Sequence, residues 1–224
     1  MKNRPFQAVL FDLDGTLLDT APDMAGALNR LRVEYGLAPL PFDSLRPHVS
    51  HGSLRLVQAG FSHCDDHDHP PLQRRFLEIY SDHLHQGTSL FPDMDFVLDD
   101  LARRAIPAGI VTNKPGWLTT PLLSRLGLDK RFVCVISGDT LPTRKPHPAP
   151  LLHAASLAGT EAPHCLYVGD AERDIQAARA AGMRSLVACY GYLGAGDRPE
   201  TWQADGTIRS PRELLPWLET DACP

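Results

Sequence analysis

Apolar residues gather along the chain in short runs that end in small or polar positions: QAVLFDLD (7–14), AGIVTN (108–113), FVCVIS (132–137), HCLYVGD (164–170) and SLVACYG (185–191). Each run is rich in Val, Ile and Leu without strict alternation, the pattern of strands covered on both faces of a parallel sheet. Between them lie stretches with helical spacing: MDFVLDDLARRA, LTTPLLSRLG, APLLHAASLAG and ERDIQAARAAG. Two of these end at Gly127 and Gly182, placed where helices stop. Strand and helix in alternation predict an open α/β sheet, which takes its ligands beyond the carboxyl ends of its strands.

One stretch breaks this rhythm. Residues 20–88 show no strand pattern and read as helices over DMAGALNRLRVEYG, SLRLVQAG and PLQRRFLEIYSDHLHQ. The expected organisation is a core of residues 1–19 and 89–224, with 20–88 inserted as a small α-helical domain over the carboxyl edge of the sheet.

Composition narrows the picture. The chain has 224 residues, 43% hydrophobic and 22% charged, which suits a globular protein with a substantial core. A formal net charge of −5 without a basic run argues against nucleic acid or an anionic membrane as partner. No apolar run approaches the ~18 residues of a membrane span. The five cysteines are scattered, and Cys134, Cys165 and Cys189 fall in apolar runs, as expected of buried thiols in a reducing cytoplasm.

Candidate chemistry sits at the strand ends. Asp12 and Asp14, in FDLDGT, are spaced to point to one side of a strand, and Gly15 permits a sharp turn after them. Two carboxylates so close repel unless a cation neutralises them. Asp170 and Asp174, in GDAERD, bring two more to another strand end, although an acidic residue also suits a helix start. An all-oxygen set of this kind fits Mg²⁺ rather than zinc. Thr112 and Asn113, in IVTNKP, offer a hydroxyl and loop N–H groups for phosphate oxygens, or simply a turn. Lys145, in TRKPHP, offers a rigid point charge, or a surface lysine. The cluster HCDDHDH (63–69) is rich in metal ligands but matches no zinc spacing, and Pro70 follows it. It is expected to be a solvated loop.

Together and in this order, these motifs resemble the haloacid dehalogenase-like hydrolase superfamily: DxDGT at 12–16, Thr112–Asn113, the lysine of KP at 145 and GDxxxD at 169–174. The likeness spans the chain and lies towards the phosphoglycolate phosphatase group and the N-acetylmuramate 6-phosphate phosphatases. LLDTAPD, GIVTNKP, LYVGDAERDIQAARAAGM and CYGYLGAGDRPETWQAD carry it. It implies a Rossmann-like core with a helical cap, and a Mg²⁺-dependent phosphatase working through an aspartyl-phosphate.

The resemblance also implies roles. Asp12 is the nucleophile and a metal ligand. Asp14 is the acid and base, with its backbone carbonyl on the metal. Thr112 and Asn113 hold the phosphoryl group, Lys145 orients Asp12, and Asp170 and Asp174 complete the metal site, Asp174 through a water. His51 and Gly52, in the cap loop PHVSHGS, would face a small phosphate-ester substrate. Dehalogenating relatives lack the second Asp, which this chain keeps. Phosphonate-cleaving relatives need a cap lysine, which residues 20–88 lack. A phosphosugar mutase and a non-catalytic binding protein on this fold are the remaining alternatives. A cytoplasmic monomer or homodimer is expected.

Overall fold

A computed structural model describes residues 5–219. The chain forms β1 (Ala8–Phe11), β2 (Leu18–Asp19), α1 (Ala21–Glu34), α2 (Phe42–Leu45), α3 (Ser53–Gly60), α4 (His69–Asp82), β3 (Ser89–Leu90) and α5 (Met94–Arg103). It continues through β4 (Ala108–Val111), α6 (Gly116–Arg125), β5 (Cys134–Ile136), α7 (Ala149–Leu157), β6 (Cys165–Gly169), α8 (Glu172–Ala180), β7 (Arg184–Ala188), β8 (Gly206–Ile208) and α9 (Leu214–Trp217). The five apolar runs become strands of one sheet in the order β5-β4-β1-β6-β7-β8, every neighbouring pair parallel. This is the expected α/β architecture.

Side-chain alternation explains why the runs are apolar throughout. Val9 and Phe11 of β1 join one core with Ile110, Val168 and the α5 stripe of Met94, Val97, Leu98 and Leu101. Ala8 and Leu10 join a second core with Val111, Tyr167, and Leu151 and Ala154 of α7. Each face of the sheet thus has its own helical layer. The α5 stripe repeats at i, i+3, i+4 and i+7, the spacing that buries one helix face. Gly127 and Gly182 take φ of +68° and +72° just past α6 and α8, the left-handed turn that stops a helix. β8 was not legible beforehand. It is a three-residue edge strand, Gly-Thr-Ile, in which Ile208 alone is buried.

Residues 20–88 hold no strand. The chain leaves the sheet through β2 and returns through β3, and these two crossings pair antiparallel, Leu18 with Leu90 and Asp19 with Ser89. The helices between them bury Leu28, Leu31, Leu56, Val57, Phe76 and Tyr80 against one another. α4 begins at His69, earlier than its pattern predicts, because Pro70 and Pro71 sit in its first turn, where their missing N–H groups have no intrahelical partner to lose. The 63–69 cluster is therefore not uniformly a solvated loop: His63 and His67 are exposed, whereas His69 is buried. Among the described residues, no helix is long and apolar enough to cross a membrane. Cys64, Cys134, Cys165 and Cys189 are free, and Cys223 lies outside the described residues.

Candidate active site

β1 ends at Phe11, so strand alternation does not aim Asp12 and Asp14, contrary to the sequence expectation. A turn aims them instead: the N–H groups of Leu17 and Leu18 donate to the Leu13 carbonyl, and Gly15 N–H donates to Leu18. Gly15 has φ of +86°, and a Cβ there would lie 2.1 Å from Asp170 Oδ2. Only glycine satisfies both demands. The turn puts both carboxylates in the wall of one cavity.

Lys145 is 2% exposed, not a surface lysine. Its ammonium lies 2.8 Å from Asp12 Oδ1 and 2.7 Å from Asp174 Oδ1, and also donates to the Val111 carbonyl at 2.7 Å and to Tyr167 Oη at 2.8 Å. Leu13 N–H donates to the same Asp12 oxygen at 2.7 Å, and Ala171 N–H to Asp174 Oδ2 at 3.1 Å. Asn113 lines the cavity as expected, but its side chain is turned to the Lys145 backbone. Its side-chain amide donates to the Lys145 carbonyl at 2.9 Å and accepts from the Lys145 N–H at 3.1 Å, so it fixes the backbone that carries the ammonium.

Asp12, Asp170 and Asp174 are buried, with carboxylate oxygens within 4.8 Å of one another. Burial, then the charge of Asp174, pushes Asp12 up to about 6. Burial, then Asp12 and Asp174, pushes Asp170 up to about 7. Burial would raise Asp174 too, but Lys145 and then Arg173 hold it below the usual carboxylate range. Asp170 Oδ2 accepts from Ser50 Oγ at 2.5 Å and from Tyr192 N–H at 2.9 Å, while Oδ1 is buried without a hydrogen-bond partner. An orphaned carboxylate oxygen among crowded, reluctantly ionised neighbours fits a hard, oxygen-preferring cation.

Asp14 belongs to a second cluster. Its Oδ1 accepts from Thr20 Oγ1 at 2.7 Å and from Lys114 Nζ at 3.0 Å. Lys114 also donates to Tyr80 Oη, on α4, at 2.9 Å. Burial works against this ammonium, but Asp14 and Tyr80 outweigh it and raise its pKa. Thr112 is buried, its hydroxyl accepting from Lys114 N–H at 3.1 Å. His51 and Gly52 are exposed on the loop before α3, where Gly52 takes φ of +88°. His51 is nonetheless partly withdrawn from water at the cavity wall, which lowers its pKa.

These groups share a cavity of about 750 Å³. Asp12, Asp14, Thr112, Asn113 and Lys145 line it from the sheet, and Ser50, His51, Gly52 and Tyr80 from the helical segment. Asp170 and Asp174 lie just behind Asp12. Sequence reasoning missed Ser50, Tyr80, Lys114, Tyr167 and Arg173. The scarcity of lysine, and the position of Lys114 directly after the Thr-Asn pair, were the available signal for that one residue.

The chain belongs to the haloacid dehalogenase-like hydrolase family, whose model matches residues 9–188. It is 46% identical over 208 residues to a phosphoglycolate phosphatase of Xanthomonas campestris pv. campestris, covering 93% of this chain and 94% of that protein. It is 36% identical over 224 residues to the N-acetylmuramic acid 6-phosphate phosphatase of Pseudomonas aeruginosa, covering 100% of this chain and 99% of that one. Among solved structures it resembles a predicted phosphoglycolate phosphatase from Haemophilus somnus, with a TM-score of 0.83 and 27% identity over 95% of this chain and 97% of that one. The expected family is thereby met, and the chain is an enzyme of its phosphatase kind.

Proposed function

We propose that this enzyme hydrolyses a small, carboxylate-bearing phosphate monoester, phosphoglycolate first, by way of a phosphoryl group carried on Asp12. The observation that carries the reading is the pairing of buried Asp12 with Lys145 at 2.8 Å, in a cavity shared with Asp14 and Thr112. The substrate comes from the relatives at 46% identity. N-acetylmuramate 6-phosphate is the second reading. A full-length relative acts on it by name, and a cavity of about 750 Å³ is far larger than phosphoglycolate requires.

Asp12 attacks phosphorus as the ester P–O bond breaks, and Asp14 gives its proton to the departing alkoxide. Asp14 then takes a proton from the water that attacks the aspartyl-phosphate, releasing inorganic phosphate and restoring Asp12. Lys145 and Leu13 N–H hold Asp12 Oδ1, so the carboxylate presents a fixed face. Thr112 and the loop after β4 hold phosphoryl oxygens. Asp12, Asp170, Asp174 and the Asp14 carbonyl would hold Mg²⁺, which supplies positive charge for the transferring phosphoryl group. Residues 20–88 act as a cap over a core of 1–19 and 89–224. The free cysteines support a reducing cytoplasm, with the enzyme working as a monomer or homodimer.

The test is phosphate release from phosphoglycolate, N-acetylmuramate 6-phosphate, glucose 1-phosphate and p-nitrophenyl phosphate, with Mg²⁺ and with EDTA. The reading expects release that EDTA stops and Mg²⁺ restores, with the highest catalytic efficiency on one of the two carboxylates. Isomerisation of glucose 1-phosphate without phosphate release would make it a mutase.

A further inference from the structure

Five cations line the cavity: Arg55, Lys114, Arg144, Lys145 and Arg173. Lys145 is committed to Asp12 and Asp174, and Lys114 to Asp14 and Tyr80. Arg55 and Arg144 are exposed to solvent. Arg173 is different. It is partly buried, yet it makes no hydrogen bond or ion pair with any described residue.

Its position is unfavourable on two further counts. Arg173 is the second residue of α8, and the first turn of a helix disfavours a cation. A guanidinium withdrawn from water without a hydrogen-bond partner loses hydration, although the charges of Asp174, Asp12 and Asp170 outweigh that cost and raise its pKa. The adjacent Asp174 attracts it by charge but makes no hydrogen bond to it, its oxygens being engaged by Lys145, Tyr167 and the Ala171 N–H. Arg173 lines the same cavity as Asp12 and as His51 and Gly52 of the loop before α3.

Charge balance shows what it is available for. Asp12, Asp14, Asp170 and Asp174 are balanced by the two lysines and one divalent cation. With that cation bound, Arg173 is surplus positive charge on the wall of a cavity with ample room beyond a phosphoryl group.

Resting on the phosphatase reading above, we propose that Arg173 binds the carboxylate of the substrate, so that part of the specificity resides in the sheet domain between the two aspartates of GDAERD. The planar fork of a guanidinium matches a carboxylate with two parallel hydrogen bonds. The substrate class is then a phosphate monoester with a carboxylate within reach of its phosphoryl group. The cap's own cation on the cavity wall, Arg55, is exposed to solvent and is the weaker candidate for this contact.

The experiment compares kcat/KM on phosphoglycolate and on ethyl phosphate, which keeps the phosphoryl group and lacks the carboxylate, for wild type, Arg173→Gln and Arg173→Lys. Arg173→Gln is expected to lose roughly 10- to 100-fold more on phosphoglycolate than on ethyl phosphate, the scale of a lost charge-assisted contact. Arg173→Lys should recover part of the difference. A ratio of two substrates cancels any loss of folded protein. Equal losses on both would place Arg173 on the phosphoryl group or in the fold, and would overturn the proposal while leaving the phosphatase reading intact. Should wild type favour N-acetylmuramate 6-phosphate, the same ratio is taken against glucose 6-phosphate. A wild type that favours neither carboxylate over its neutral counterpart overturns the substrate class and the role of Arg173 together.

Discussion

The two buried lysines of the site hold the two aspartates of DxDGT in different ways. Lys145 and every group it touches belong to the core: Val111 and Tyr167 in strands, Asp12 just after β1 and Asp174 in the first turn of α8. Lys114 joins Asp14 to Tyr80, and Tyr80 comes from α4 in the helical insertion. Asp12, the proposed nucleophile, is thus held by the core alone. Asp14, the proposed acid and base, is held by Lys114 within the core, and that lysine is held in turn by Tyr80 of the insertion. A cap that moves with substrate would leave the nucleophile undisturbed and alter the surroundings of the proton donor, coupling proton transfer to closure.

The largest effect expected from breaking this comparison is on the core side. Asp12→Asn should remove turnover by several orders of magnitude while leaving the fold intact. Retention of more than about a tenth of wild-type turnover would end the covalent mechanism. Lys145→Met comes next, with a loss in kcat of roughly 10²- to 10³-fold. It also leaves Asp12 and Asp174 buried without their counter-charge, so the metal-free protein should lose about 3–5 kcal/mol by chemical denaturation. Unchanged stability in EDTA would mean that water already reaches these carboxylates.

On the bridging side, Lys114→Met should lower turnover of alkyl phosphates by roughly 10- to 100-fold, a fraction of what general acid–base catalysis supplies. It should cost much less on p-nitrophenyl phosphate, whose leaving group needs no proton. Tyr80→Phe should show the same substrate pattern more weakly. Equal losses on both esters would place Lys114 on the phosphoryl group and dissolve the contrast between the lysines.

A smaller effect concerns stability against pH. Folding raises Asp12 to about 6 and Asp170 to about 7 from an ordinary value of 3.8. A raised carboxylate is one that the folded state protonates more readily than the unfolded state. Its contribution to stability is therefore greatest in acid and is lost as pH rises through 3.8 towards those values. A bound divalent cation would hold both groups ionised and remove the penalty. In EDTA the melting temperature should fall between about pH 5 and about pH 8, and Mg²⁺ should raise it by several degrees more at the higher pH. A Mg²⁺ effect independent of pH would show that neither carboxylate is a ligand.

What the sequence revealed followed locality. β1, β4, β5, β6 and β7 were legible because burial on both faces makes each a continuous apolar run. The edge strand β8 and the two-residue β2 and β3 have no such signature. Asp12, Asp170 and Asp174 announced themselves through short motifs at strand ends. The partners of Lys114 are distant, Asp14 lying 100 residues away and Tyr80 34. Ser50 reaches Asp170 across 120 residues. The contacts of Tyr80 and Ser50 depend on how the insertion packs on the core, and that of Lys114 with Asp14 on how two loops of the core meet, none of which a local pattern records. Asn113 shows the converse, since its place in a motif was clear but its amide is spent on the Lys145 backbone.

The smallest expected effect lies in the 63–69 segment, and it sharpens the comparison by following α4 away from the site. Asp65, His67 and Asp68 bring three potential ligand atoms within 4.8 Å of one another, and His67 Nε2 lies 3.3 Å from Asp68 Oδ1. Asp65 and His67 are exposed, and the nearby hollow lined by Tyr35, Phe61, His63 and Asp68 contains no residue of the active site. Exposed charges of this kind are screened and contribute little. His63→Gln with His67→Gln should therefore leave kcat/KM and the Mg²⁺ requirement within about twofold and stability within about 0.5 kcal/mol. Zinc that raised the melting temperature of wild type and not of this double variant would reveal a metal site in the loop. His69 is another matter. It is 5% exposed, with Nε2 3.5 Å from the Phe61 carbonyl and Nδ1 without a hydrogen bond, at the start of the helix that carries Tyr80 to Lys114. His69→Gln should cost about 1 kcal/mol of stability and leave the folded enzyme's substrate preferences unchanged. If it instead lowered alkyl-ester turnover and spared p-nitrophenyl phosphate, as Lys114→Met should, the first turn of α4 would be setting the position of Tyr80, and the bridging half of the site would extend the length of that helix.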